Sequence, residues 1–140
     1  MQLRHALIPY LYTMSRRDES DGVSLVRPMY HDYPESDEAY ACPQQYLFGT
    51  DMLVAPYTTP ADPDTRLSRQ PVWLPPGGWY HWFSGEYFHG NAWCTRYGGL
   101  DDMPVFVRAG AIIPIAPQAG WGGLENPADV HLHIFSGQDG

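Results

Sequence analysis

The 140-residue chain contains no lysine: its eight basic residues are all arginine, set against sixteen acidic ones for a net charge of −8. A protein that tracks phosphates needs a basic stripe, and none runs through this sequence, so nucleic acid is a poor partner. An uncharged substrate or a protein surface suits the charge better. Cysteine is almost absent as well. Cys42 and Cys94 are the only two, in dissimilar contexts, and two lone thiols in a chain able to form a core are expected to stay unbridged. No apolar run approaches the roughly 20 residues needed to cross a bilayer, and no signal peptide opens the chain. No membrane partner and a cytoplasmic, reducing compartment are therefore the expectation. The P-loop, the dinucleotide fingerprint, G-x-S-x-G and paired C-x-x-C are all missing too, so no cofactor is expected.

What is present suits a compact, turn-rich fold. Hydrophobic residues make up 44% of the chain and charged residues 17%, enough apolar side chain for a core. Fourteen Gly and fourteen Pro argue for many turns and against a helical bundle. Leu3, Leu7, Leu11 and Met14 fall on one helical stripe, with Ala6 and Tyr10 beside it. Pro9 lies within that run, lacks an N–H, and is expected to kink or divide the helix. The polar "RRDESDG" then stops it. Val23, Leu25 and Arg27 alternate with Ser24 and Val26, which reads as a short strand ending at Pro28. "ESDEAYACPQQYLFG" suggests one or two helical turns, with Ser36 as cap and Asp37 and Glu38 in the opening turn.

From Asp51 the texture changes. "DMLVAPY", "RQPVWLP", "GGWYHWFSGEYFHG", "MPVFVRAGAIIPI" and "ADVHLHIFSG" are short β-rich runs broken by Gly and Pro. Their spacing points to an antiparallel sandwich or barrel rather than βαβ units. The fold class is thus mainly β, α+β overall, with a division near residue 50. A hairpin is expected to turn at Ser84-Gly85, placing Trp79 and Phe83 on one face and Tyr80 and Trp82 on the other.

Candidate chemistry is thin. Asp62/Asp64 and Asp101-Asp102 are carboxylate pairs of the kind that cut glycosidic bonds, yet they lie in Pro- and Gly-rich turns, where Asp commonly binds nearby backbone. His131 and His133 would face the same way on a strand, but no third ligand accompanies them, and a solvated strand face explains them better. No metal site is expected. The aromatics Trp79, Tyr80, Trp82, Phe83, Tyr87, Phe88 and Trp93 could stack on sugar rings, although at least one face of the hairpin must fill the core.

Read in order, "LRHALIPYLYTM", "VRPMYHDYP", "QQYLFGTDMLVAPYTTPADPDT", "VWLPPGGWYHWFSGEYF" and "MPVFVRAGAIIPI" resemble the downstream part of family 31 glycoside hydrolases, the α-glucosidases and α-xylosidases. The resemblance covers nearly the whole chain. It implies that residues 1–50 are the last helix–strand–helix portion of a (β/α)8 barrel, with "VSLVRP" its final strand, and that residues 51–140 begin a β-sandwich domain opened by "DMLVAPY". Val105 and Val107 would face one side of a sandwich strand and Phe106 and Arg108 the other, before a turn at Ala109-Gly110. The family hydrolyses α-linked sugars with retention through two Asp residues, and both would lie upstream, so no catalytic residue is assigned here. The resemblance further implies a chain incomplete at both ends, whose partners are the upstream barrel and, through it, an α-linked oligosaccharide. Tyr30, His31 and Asp32 follow the strand assigned to the barrel, and such barrels bind at the C-terminal ends of their strands. They are the substrate-binding candidates. A free-standing carbohydrate-binding sandwich that uses its exposed aromatics is the alternative.

Overall fold

A computed structural model describes residues 2–117 and 129–137. The N-terminal run forms two helices, α1 (Gln2–Ala6) and α2 (Ile8–Asp21), parted at Leu7. Pro9 lies in the first turn of α2, where its missing N–H has no helical partner to lose. The expected division is there, two residues ahead of the proline. α2 ends where Gly22 adopts φ 67° and donates its N–H to the Asp18 carbonyl at 3.0 Å.

Strands β1 (Val26–Pro28), β2 (Tyr46–Phe48), β3 (Met52–Val54), β5 (Gly78–His81), β6 (Tyr87–His89) and β8 (Val105–Arg108) make one six-stranded sheet. Its order is β1-β2-β3-β8-β5-β6, and each neighbouring pair is antiparallel. β4 (Ser68–Leu74) pairs with β7 (Ala92–Gly98), and β9 (Ile112–Ile115) with β10 (His131–Ile134). The antiparallel sandwich read from the sequence is the architecture of this chain.

Two details depart from the sequence reading. β1 is not placed as the last strand of a barrel, whose strands are parallel. It pairs antiparallel with β2, Arg27 opposite Leu47, and β2 continues into β3. The sheet therefore runs through residue 50 without a break. The physical reason is the length of "YLFGTDMLV": two three-residue strands joined by a tight turn at Gly49 (φ 66°) form a hairpin that holds β1 on its outer edge. Second, Phe83 does not share a face with Trp79. β5 ends at His81, and Trp82 and Phe83 enter the turn, so alternation lapses before it reaches Phe83. The hairpin itself turns as expected, with Gly85 at φ 69° donating to the His81 carbonyl.

Between β1 and β2 lie two short helices, α3 (Met29–Asp32) and α4 (Asp37–Ala41). Ser36 occupies the N-cap position of α4, but its side chain makes no capping bond. Asp37 and Glu38 sit in the first turn as expected, on the favourable end of the helix dipole.

The central sheet is buried on both faces. Leu53 and Phe106 point to one side, where they meet Val72, Trp73 and Leu74 of β4 and Trp79 of β5. Met52, Val54, Val105 and Val107 point to the other, against Leu7, Tyr10 and Met14 of the helical segment and Ile113 and Ile115 of β9. Alternation along "VFVR" thus feeds two cores, which is why Val105, Phe106 and Val107 are all buried. Burying a side chain of the size of Phe106 contributes about 1.5–3 kcal/mol. The turn after β8 is at Ala109-Gly110, with Gly110 at φ 87°.

Candidate functional site

The three residues singled out from sequence lie together in α3, immediately after β1. Asp32 is committed to the fold. Arg27, 4% exposed on β1, donates from Nε to Asp32 Oδ1 at 3.0 Å and from Nη2 to Oδ2 at 2.9 Å. The guanidinium also reaches the Ser24 carbonyl at 2.7 Å and the Gly49 carbonyl at 3.1 Å. This fork engages both carboxylate oxygens and ties the strand, the helix after it and the β2–β3 turn together. The hydrogen bonds from Arg27 hold the Asp32 carboxyl below its usual range, with the contact to His31 adding to the effect. Asp32 in turn raises Arg27. His31 Nδ1 lies 2.7 Å from Asp32 Oδ1, with its ring open to solvent. Tyr30 stacks on Tyr40 of α4, ring centroids 5.4 Å apart at 10°, an exposed aromatic pair. A carboxylate held by a buried arginine at both oxygens is a poor general acid or base. It suits a fixed surface, of which His31 and the Tyr30–Tyr40 pair are the accessible part.

The other carboxylates have local duties. Asp62 Oδ1 accepts the N–H groups of Asp64 at 3.0 Å and Thr65 at 2.8 Å, and the bonds from Thr65 and Asp64 lower its pKa. Asp102 Oδ1 accepts the Met103 N–H at 2.8 Å. His131 and His133 are exposed on β10, where His133 stacks on Trp82 at 5.5 Å. Among the described residues no three His, Cys, Asp or Glu side chains gather as metal ligands would. Cys42 and Cys94 are free thiols.

The aromatics do not assemble into one platform. Trp79 is buried in the core, with its Nε1 donating to the Pro75 carbonyl at 2.8 Å and Arg108 lying 5.4 Å over its ring. Tyr80 and Trp82 pack on Phe135, each 5.7 Å away. The exposed Trp93 belongs to the β4–β7 ribbon rather than to the hairpin. Tyr97, exposed on the same strand, escaped the sequence reading because no local pattern marks it.

Sequence reasoning also missed a cleft of about 680 Å³ between the segments 56–68 and 99–103. Tyr57, Arg66, Ser68, Leu100 and Asp102 are among its walls. No motif announces it, because its two sides are more than thirty residues apart in the chain.

The C-terminal domain of glycosyl hydrolase family 31 matches residues 22–113. The chain belongs to that family. It is 29% identical over 141 residues to an α-xylosidase of Saccharolobus solfataricus, covering all of this chain and 19% of that protein. Among solved structures, a family 31 dextranase of Flavobacterium johnsoniae complexed with isomaltotriose is similar at TM-score 0.83 and 30% identity, over 98% of this chain and 16% of that one. A cycloalternan-forming enzyme of Listeria monocytogenes in complex with a pentasaccharide substrate is similar at TM-score 0.86 and 31% identity, over 96% and 13%. The chain thus spans less than a fifth of these relatives. The family match begins at Gly22, the residue that caps α2.

Proposed function

We propose that this chain is the non-catalytic C-terminal portion of a retaining α-glycoside hydrolase, in which the sandwich supports a catalytic barrel supplied by upstream sequence. The observation that carries the reading is the family match over residues 22–113, within a fold that is similar over nearly its whole length to family 31 enzymes. On this reading α1 and α2 belong to the barrel side and the sandwich starts at about Gly22, because β1 and β2 are part of the sandwich sheet. The helices bury their apolar stripe on Met52, Val54, Val105 and Val107, so they key one layer to the other. The substrate of the whole enzyme is an α-linked oligosaccharide, and His31 with the Tyr30–Tyr40 pair lies on the segment that follows α2.

Retaining hydrolysis requires two carboxyl groups roughly 5 Å apart across a bound sugar. In each of the two carboxylate pairs that the sequence offers, Asp62/Asp64 and Asp101-Asp102, one member is engaged by its own turn, Asp62 by the Thr65 N–H and Asp102 by the Met103 N–H. Asp32 is held by Arg27. The test is the purified chain against aryl α-glucoside and aryl α-xyloside, with Asp32→Asn and Asp102→Asn alongside. No turnover above background is expected. Turnover that disappears in either variant would overturn the reading.

A further inference from the structure

We infer that the cleft between segments 56–68 and 99–103 is a binding site for a neutral saccharide. Its volume of about 680 Å³ lies within the range of small-molecule sites. Its walls are preformed. Ser68 Oγ donates to the Thr59 carbonyl at 2.9 Å, Thr59 Oγ1 to the Arg69 carbonyl at 3.2 Å, and the Asp62 N–H to the Leu67 carbonyl at 3.0 Å. Arg66 is held at φ 58°, an unfavourable region for arginine that the turn around Asp62 imposes.

Two of its lining residues, Tyr57 and Asp102, meet beside Gly98 of β7. A Cβ there would lie 2.6 Å from Asp102 Oδ2 and 2.6 Å from a Tyr57 ring carbon. The absence of a side chain therefore lets the tyrosine and the carboxylate meet over the strand. Burial raises the Tyr57 pKa and the neighbouring Asp102 carboxylate, to which the hydroxyl is hydrogen-bonded, raises it further.

The lining selects the ligand class. Asp101, Asp102 and Arg66 are among the lining residues, carboxylates that can accept and a guanidinium that can donate. Hydroxyls that both donate and accept satisfy such a mixed set. The rings and side chains of Tyr57, Pro60 and Leu100 supply apolar surface for the C–H faces of a pyranose. A phosphate would meet two carboxylates in a chain of net charge −8. A divalent cation would find only two carboxylates beside an arginine. The choice of α-linked probes rests on the function proposed above, whereas the site itself does not.

The experiment is a titration of the 140-residue chain with isomaltose, followed by 1H–15N spectra, with calcium chloride and inorganic phosphate as parallel arms. Saturable binding is expected, with shifts centred on Tyr57, Gly98 and Leu100. Gly98→Ala and Asp102→Asn should each weaken it tenfold or more. Leu100→Ala, which removes a fully exposed side chain, should weaken it about threefold and keeps the test decisive should the other two variants unfold. Sugar binding undiminished in every folded variant, shifts centred on Trp93 and Tyr97 instead, saturation by calcium or phosphate alone, or no saturation at all would each overturn the inference. Because the readout is binding, its failure leaves the support role standing, and turnover by the chain leaves the cleft untouched.

Discussion

Replacing Asp32 by Asn tests whether this residue serves the fold. The substitution keeps the shape of the side chain but leaves Arg27, 4% exposed, without its counter-charge. Breaking a fully buried pair costs about 3–5 kcal/mol. Two features reduce that figure here. The Asp32 side chain is 31% exposed, and Arg27 keeps its bonds to the Ser24 and Gly49 carbonyls. A loss of ~2 kcal/mol is expected, or about 6–8 °C in Tm for a chain of this length. The measurement is thermal or urea unfolding followed by near-UV circular dichroism, repeated across pH. The Asp32 pKa is lowered in the folded state. Its contribution is therefore fully present above the unfolded carboxyl value of about 3.9 and is lost as pH falls through the folded one. Wild type and Asp32→Asn should differ near neutral pH and converge in acid. In an Arg27→Met background the same substitution should cost little, since its partner is gone. A gap that stays constant into acid, or that survives when Arg27 has been replaced, would refute the pairing as the cause.

Gly49→Ala should destabilise by about 1–3 kcal/mol in urea unfolding, because its φ of 66° disfavours a side chain and a Cβ would press on Tyr10 and sit 2.9 Å from Met14 Cγ. The Cys42 thiol, pushed up to about 11 by burial, should react with iodoacetamide at about pH 8 only as fast as the chain opens, and labelling as fast as for a free peptide thiol would contradict its burial. Burial also lowers the pKa of His81 below its unfolded value of about 6.5, so its contribution is present above that pH and is lost as pH falls through the folded value. His81→Gln should flatten the stability profile in that window, as read from urea midpoints, and an unchanged slope would show that another group titrates there.

The sequence by itself determined the elements that rest on local rules. Pro9 divided the N-terminal helices, Gly22 stopped the second, and Ser84-Gly85 turned the hairpin, because each acts on its own backbone. The order of the β-rich runs carried the family as well. Tertiary structure decided what depends on partners distant in the chain. It joined β1 and β2 to the sandwich sheet, since strand pairing is settled by edge hydrogen bonds and not by propensity. It buried both faces of β8, because helices cover one side and the β4–β7 ribbon the other, and alternation alone cannot say how many faces are covered. It made Asp32 the counter-ion of Arg27, five residues away across a strand-to-helix bend. And it brought Tyr57 to Asp102 over Gly98, a meeting that exists only once β4 has paired with β7.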